Sequence, residues 1–278
     1  MKENTGCFLK NLSEFWGNYI SGEFYALYSI PSVGKSLLLY EEAFNLMGQG
    51  YDVFWLDSET GFRGMEQAWK DKFEKKFNAN YADKFHYYKV RSFVELNQLL
   101  GNSIDLDINK NGKIEVVLLK KDIKVEETIY PDLKGKKHVA FVLDSFTMIF
   151  QEQFNSSTMN FPARADASGF LFMSFNKLLS KTNGFMLFTH HASVNPINMF
   201  NEHDKVRGGD TVLYYTKYIT YLDVPKKHTM QDFRKLCSVR SPFFQDWSQF
   251  RWTRIDDEGY HDSNDEEAEA AYNRKVIQ

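Results

Sequence analysis

The chain has 278 residues, of which 43% are hydrophobic and 16% aromatic, and its formal net charge is -3. This length and apolar content fit one large globular domain with an ample core, or one domain with an appended piece. The slight negative charge excludes a general polycation, so any contact with nucleic acid has to come from a local basic face. No apolar run approaches the ~18 residues of a membrane span, and the first residues lack a signal-peptide core. Cys7 and Cys237 make no disulfide framework, so we expect reduced thiols in a cytoplasmic protein without membrane contact.

Strand-like runs alternate with helix-like runs along the chain, which predicts an α/β fold with a mostly parallel central sheet flanked by helices. The predicted strands before the final third cover residues 24–28, 51–56, 85–90, 139–143 and 185–188. Apolar residues at helical spacing mark the segments between most of these strands. Several more strands with alternating character extend to about residue 255.

Residues 104–130 interrupt this order, because their apolar residues alternate and Asn111-Gly112 is typical of a hairpin turn. We interpret them as a β-hairpin inserted on the sheet. The predicted core then spans residues 1–261, with the insertion inside it. An acidic, polar C-terminal tail covers 262–278, where Asp265-Glu266-Glu267 leads into a polar helical stretch.

The most informative stretch lies between the strand at 24–28 and an apolar run that begins at Leu37. It reads Ser29-Ile30-Pro31-Ser32-Val33-Gly34-Lys35-Ser36. A strand, a tight loop, Gly-Lys-Ser and a helix together hold a nucleoside triphosphate, because N–H groups at the helix start point at phosphate oxygens. Lys35 would reach the β- and γ-phosphates, and the Ser36 hydroxyl would ligate Mg²⁺. Ser29 stands where the pattern has glycine, and its Cβ would crowd the turn if the position needed a positive φ.

Carboxylates follow two of the predicted strands. Asp144 ends the apolar strand at 139–143, where it would lie beside the loop lysine and order the water shell of Mg²⁺. Asp57 and Glu59 share one side of the chain at the end of the strand at 51–56, on the edge where ligands bind in open α/β sheets. Glu59 would polarise the water that attacks the γ-phosphate. From the residues alone, simple turn and helix-cap roles explain Asp57 and Glu59 equally well.

Three blocks in this order resemble the RecA/RadA family of recombinase ATPases. They are residues 29–36, which we call the phosphate loop, Leu-Asp-Ser-Glu-Thr-Gly-Phe-Arg at 56–63 and Leu-Asp-Ser-Phe-Thr at 143–147. Residues 5–12 with Gly22-Glu23, and 239–242 ahead of 250–253, are similar to the ends of archaeal RadB-like proteins, which are RadA paralogues. The resemblance implies a RecA-like phosphate-loop NTPase core that binds ATP and Mg²⁺. It also implies a slow, DNA-dependent ATPase that acts on single-stranded DNA in recombination or repair. A recombinase or other protein partner and oligomers built through the ATPase core are further expectations.

The same resemblance assigns roles to single residues. Lys35 and Glu59 take the catalytic positions, and Arg240 would approach the phosphates from the same or a neighbouring subunit. His191 falls where the family has a glutamine that senses the γ-phosphate, and a ring nitrogen can still donate a hydrogen bond. The adjacent His190 also suggests a metal site, but no further ligands stand at a suitable spacing.

Two polar loops correspond to the family's DNA-contacting segments. The loop at 192–207, ahead of Gly208-Gly209, carries Lys205 and Arg207, and the loop at 151–166 offers Arg164 with nearby phenylalanines. Aromatic rings with a few cations are what single-strand binding requires. By residues alone a solvated loop is the better interpretation, and only the resemblance favours DNA.

Two other functions remain open. In the first, the chain is a regulatory module or recombination mediator in which ATP is a conformational ligand, and the hairpin or the acidic tail binds a protein partner. In the second, it is an ATPase of the KaiC type with a protein substrate, which fits the core motifs but not the RadB-like ends.

Overall fold

One large sheet organises the chain. The computed structural model describes residues 6–59, 61–119, 123–151, 153–154, 158–193, 205–206 and 210–274. The strands are β1 (Phe24–Ser29), β2 (Asp52–Asp57), β3 (Phe85–Lys89), β4 (Ile104–Ile108), β5 (Ile114–Leu118), β6 (Val139–Asp144), β7 (Phe185–Ser193), β8 (Lys205–Val206), β9 (Tyr218–Asp223), β10 (Phe233–Arg240), β11 (Phe250–Asp256) and β12 (Gly259–Ser263). The helices are α1 (Lys10–Trp16), α2 (Lys35–Gly48), α3 (Phe62–Phe77), α4 (Tyr81–Lys84), α5 (Phe93–Leu99), α6 (Tyr130–Leu133), α7 (Phe146–Gln151), α8 (Phe161–Thr182), α9 (Asp210–Tyr215) and α10 (Asp265–Asn273).

The main sheet has the strand order β3-β2-β6-β7-β1-β9-β10-β11-β12, and the short β8 pairs with β7. In this order, the neighbouring strands β3, β2, β6, β7, β1 and β9 run parallel to one another. The strands β10, β11 and β12 are antiparallel to their neighbours. The prediction of a mostly parallel central sheet is therefore confirmed. The strand boundaries agree with the sequence patterns to within one residue for β2, β3 and β6.

The strand register decides which residues meet at the carboxyl edge of the sheet. Asp57 of β2 pairs with Asp144 of β6, and Ser29 of β1 pairs with His191 of β7. Because parallel strands present their carboxyl ends at one edge, the loops after these strands converge there. The register thus brings the segments singled out by the sequence to one place.

Helices cover both faces of the sheet, and two apolar clusters fill the space between them. One cluster joins α1, α2 and α3 to one face, and the other joins α5, α7 and α8 to the opposite face. Every residue of β1 and of β6 is buried, because a parallel strand with helices on both sides has no solvent-facing side. This is why both strands read as continuous apolar runs.

The predicted hairpin insertion is confirmed as the antiparallel pair β4 and β5. Gly112 in its turn has φ +77°, a conformation that glycine adopts without strain. The Asn160 side chain fastens the hairpin, because it accepts from the Ile114 N–H at 3.0 Å and donates to the Gly112 carbonyl at 3.1 Å. Asn160 directly precedes α8, so the insertion is tied to the segment that carries Arg164.

Helix α10 packs its Ala268 and Ala271 against Met230 and Phe233 near the edge of the sheet. The division at residues 261 and 262 stays a prediction. In the part of the chain that the structure describes, no helix combines the length and apolar character needed to cross a lipid bilayer.

Candidate functional site: a phosphate loop at the carboxyl edge

The loop between β1 and α2 forms the centre of the site. Its positive φ values fall at Ser32, with +63°, and at Gly34, with +102°. Ser29 is instead the last residue of β1 and keeps a negative φ. Serine in place of glycine at this position therefore creates no backbone strain, and the crowding considered from the sequence does not arise.

A cavity of about 390 Å³ opens on this loop. Its lining residues come from the loop, the start of α2, the end of β2, α3 and β7: Pro31, Ser32, Val33, Gly34, Lys35, Ser36, Leu37, Glu59, Met65 and His191. The structure thus brings together most of the residues predicted to bind the cofactor and all three that were predicted to be catalytic, Lys35, Glu59 and His191. Ser29 and Ile30 contact the site through their main-chain carbonyls, which accept hydrogen bonds from Lys35.

Lys35 is buried at the base of the loop, with 5% of its surface exposed. Its ammonium donates to the Ile30 carbonyl at 2.8 Å and to the Ser29 carbonyl at 3.3 Å. Burial lowers the pKa of Lys35, while the carboxylates of Glu59 and Asp144 act in the opposite direction. A lysine placed between two acids and a loop of helix-start N–H groups is suited to bind a polyanion.

Asp144 is buried directly beside the loop. It accepts a hydrogen bond of 2.5 Å from the Thr189 hydroxyl, and the nearby Ser36 hydroxyl acts to lower its pKa. Burial raises the pKa of Asp144 to about 6, and the charge of Glu59 adds to the rise. The Ser36 hydroxyl and the Asp144 carboxylate are adjacent oxygen donors, which is the ligand type that Mg²⁺ takes together with phosphate oxygens. These residues fit the predicted metal.

Glu59 and His191 are hydrogen-bonded to each other in the wall of the cavity. Glu59 Oε1 accepts from His191 Nε2 at 3.1 Å, and the Glu59 N–H donates to Asp57 Oδ1 at 2.9 Å. The hydrogen bond from His191 lowers the pKa of Glu59, although partial burial acts against it. Glu59 is therefore held as a carboxylate, with 31% of its side chain exposed to the cavity side.

Hydrogen bonds between the strand ends fix this arrangement. The Ser58 N–H donates to the Asp144 carbonyl at 2.7 Å, and the Ser58 hydroxyl bonds both main-chain groups of Ser145. The Thr147 hydroxyl accepts from the His191 N–H at 2.8 Å and contacts His190 Nδ1 at 2.8 Å. The segments that carry Glu59, Asp144 and His191 are therefore hydrogen-bonded to one another at the ends of β2, β6 and β7.

Three residues of the site escaped the sequence patterns. Thr189 orients Asp144 and was detectable only as a polar residue near the end of a predicted strand. Arg234 of β10 donates to the Val33 carbonyl at 2.8 Å, and Tyr260 of β12 donates to the Gly34 carbonyl at 3.1 Å. Arg234 and Tyr260 lie 201 and 226 residues after their partners, and no local motif connects such distant positions.

Arg240 is not brought to the cavity within this chain. Its guanidinium donates to the carbonyls of Leu213 and Thr216 at the end of α9. Arg240 pairs with Ile219, which pairs with Ala26 in the first half of β1. That level lies three residues before the loop, roughly 10 Å away along the strand.

Two of the three predicted DNA-binding residues, Arg164 and Lys205, belong to described elements and are not among the residues that line the cavity. Arg164, in the first turn of α8, donates to the Phe154 carbonyl at 3.1 Å and lies 5.9 Å from the Phe161 ring. Lys205 belongs to β8, opposite Ser193 of β7. Arg207 lies outside the described residues.

No protein-family model matches the chain, and no curated protein sequence matches it. Among solved structures, a RadB recombinase is similar to it, with a TM-score of 0.58 and 17% sequence identity. The similarity covers 95% of this chain and 100% of that one. The chain therefore has a RecA-like α/β fold with an added antiparallel hairpin, as the sequence predicted.

Proposed function

We propose that this protein is a RecA/RadB-like ATPase that binds Mg-ATP, hydrolyses it slowly and acts on single-stranded DNA in recombination or repair. The observation that carries the proposal is the position of Lys35, buried in a phosphate loop between the carboxylates of Asp144 and Glu59. A RecA-like fold with this loop at the carboxyl edge of its sheet supports the ATPase part. The DNA part rests on the resemblance of the sequence blocks.

The triphosphate would lie across the start of α2. The first N–H groups of a helix have no carbonyl partner within it, and the helix dipole favours negative charge there. Lys35 uses two of its three ammonium donors on loop carbonyls, which leaves one for a phosphate oxygen. Leu37 and Met65 add apolar surface to the cavity wall.

Ser36 and Asp144 would hold the Mg²⁺ ion, which would neutralise charge on the triphosphate. Thr189 keeps Asp144 oriented through its 2.5 Å hydrogen bond. Glu59 would orient the attacking water and accept its proton, because its carboxylate lines the cavity and stays ionised. His191 bonds Glu59 and belongs to β7, the strand that leads into the loop at 192–207. It would therefore connect the state of the γ-phosphate to that loop.

Single-stranded DNA would contact the first turn of α8 and the segment that follows β7. Arg164 with the exposed Phe161 ring supplies a cation beside an aromatic surface, the pairing that favours stacked bases. Lys205 and Arg207 would add phosphate contacts from the segment that follows β7. A phosphate contact by Arg240 would require a neighbouring subunit in an oligomer built through the ATPase core.

A titration of labelled single-stranded DNA, with and without Mg-ATP, tests the proposal. We expect binding that ATP strengthens and that salt weakens, because phosphate contacts release counterions. Lys35→Ala should abolish ATP binding and with it the ATP-dependent increase, whereas Lys110→Ala in the exposed hairpin turn should change neither. Absence of ATP binding by the wild type would refute the ATPase part. ATP binding without any DNA binding at low salt would refute the DNA part.

The second candidate is a regulatory ATP-binding module with a protein partner. The exposed apolar side chains of the hairpin favour it, since Ile108 is 60% and Leu118 67% exposed. The opposite face of the hairpin carries Asp105, Asp107 and Glu115, which would repel DNA. This function predicts ATP binding without DNA binding, so the same titration separates the two candidates.

A further inference from the structure

Two carbonyl groups of the phosphate loop are held by side chains from the antiparallel end of the sheet. Arg234 Nε donates to the Val33 carbonyl at 2.8 Å. The Tyr260 hydroxyl donates to the Gly34 carbonyl at 3.1 Å. Neither side chain is among the residues that line the cavity, so both act on the loop from behind.

Peptide geometry gives these contacts a consequence on the other side of the loop. In a planar trans peptide, the C=O and N–H groups point in opposite directions. When Arg234 fixes the Val33 carbonyl, it also fixes the Gly34 N–H, and Tyr260 in the same way fixes the Lys35 N–H. These amides lie at the start of α2, where phosphate oxygens would bind.

Both side chains are themselves rigidly placed. Arg234 Nη1 also donates to the carbonyls of Gln231, at 2.6 Å, and Phe233, at 2.7 Å. Tyr260 is 1% exposed, and its N–H donates to the buried carboxylate of Glu41 at 2.8 Å.

The Glu41 carboxylate, which accepts from the Tyr260 N–H, is held in place because it also accepts from Lys76 of α3 at 2.6 Å. The contact with Tyr260 is close enough to require glycine in the loop, because a Cβ at Gly34 would lie 2.4 Å from the Tyr260 hydroxyl oxygen. The loop and the two strands are therefore shaped to each other.

We propose that Arg234 and Tyr260 are positioning residues for triphosphate binding, which aim the Gly34 and Lys35 amides at the phosphates. This inference rests on the proposed function, since it concerns the same loop. Arg234 has the larger effect, because the Gly34 carbonyl also accepts from the Leu38 N–H at 3.0 Å. We expect Arg234→Gln to raise the Kd for ATP about tenfold and Tyr260→Phe about threefold, in the range of one hydrogen bond.

The experiment measures the Kd of a fluorescent ATP analogue and its displacement by inorganic tripolyphosphate. Tripolyphosphate has no base or sugar, so it reports on the loop alone. Arg254→Gln, at an exposed position of β11, and Tyr272→Phe, on α10, are the matched controls and should bind like the wild type. The Kd values for both ligands should rise by the same factor in Arg234→Gln and in Tyr260→Phe.

A separate measurement distinguishes positioning from loss of structure. The unfolding temperature without ligand should stay within a few degrees for Tyr260→Phe, while its increase on ATP addition becomes smaller. If Arg234→Gln does not fold, Tyr260→Phe decides, because it keeps the buried ring. Arg234→Lys keeps the charge but cannot hold three carbonyls in the same geometry, so its affinity should remain reduced.

The outcomes separate the inference from the proposed function. If the wild type binds neither ATP nor tripolyphosphate, the proposed function fails. If the wild type binds both and the variants at Arg234 and Tyr260 bind like their controls, the positioning role is refuted. Full affinity of Arg234→Lys would likewise refute it, since charge alone would then suffice.

Discussion

Replacement of Gly34 by alanine measures how closely the phosphate loop fits the strands behind it. Gly34 has φ +102°, a conformation that costs an L-residue about 1–3 kcal/mol. The new Cβ would lie 2.4 Å from the Tyr260 hydroxyl oxygen and 3.2 Å from Ile255 Cδ1. The Tyr260 ring is buried and its backbone is bonded to Glu41, so relief requires overpacking that costs about 1–3 kcal/mol more. We expect the free energy of unfolding to fall by about 4 kcal/mol.

A double-mutant cycle with Tyr260→Phe divides this loss between its two causes. Without the hydroxyl oxygen, the nearest atoms to the new Cβ are Ile255 Cδ1, at 3.2 Å, and the Tyr260 ring carbon Cζ, at 3.5 Å. The cost of Gly34→Ala should therefore drop to about 2 kcal/mol, the backbone share alone. Urea unfolding of the wild type, the two single variants and the double variant gives the cost of Gly34→Ala with and without the Tyr260 hydroxyl. Gly64→Ala is the control, because its Cβ in α3 would meet nothing within 4 Å. Equal costs of Gly34→Ala in the two backgrounds would refute the steric argument.

Four further predictions concern ionisable residues of the site and of α2, the helix that begins at the phosphate loop. Glu59→Gln should retain ATP binding and lose turnover in a phosphate-release assay, and unchanged hydrolysis would remove Glu59 from the mechanism. His191→Ala removes the hydrogen bond that lowers the pKa of Glu59, so the acid limb of the rate profile should move to higher pH, and an unmoved limb would contradict this role. Because the pKa of Asp144 is about 6, Mg²⁺ stimulation of ATP binding should weaken below that pH, and Asp144→Asn should show little stimulation at any pH. Burial raises the pKa of Glu42 in α2 from 4.5 to about 7. The protonated Glu42 therefore contributes fully to stability below pH 4.5, and this contribution, roughly 3 kcal/mol, is lost as pH rises through 7. In urea unfolding, Glu42→Gln should make the free energy of unfolding less dependent on pH between pH 5 and 8, and an unchanged slope would show that another group titrates.

The sequence by itself determined the local elements and which candidate site residues stand at their ends. Apolar runs identified β1 and β6 as strands, and Asn111-Gly112 identified the hairpin turn, because side-chain periodicity and turn chemistry act over a few residues. Gly-Lys-Ser after a strand predicted a phosphate-binding loop for the same reason, and the structure has a loop and a helix start at this position. The carboxylates of Asp144 and Glu59 were also found as residues that follow predicted strands.

The tertiary structure alone decided which of these ends meet and what holds them. Strand order and register place Asp144 and His191 beside the loop, and long-range pairing brings Arg234 and Tyr260 onto it from over 200 residues away. The pKa of Asp144 also depends on burial and on the neighbouring Glu59 charge, which no stretch of sequence contains. Contacts between distant segments depend on how the whole sheet assembles, whereas propensity and periodicity describe only neighbours along the chain.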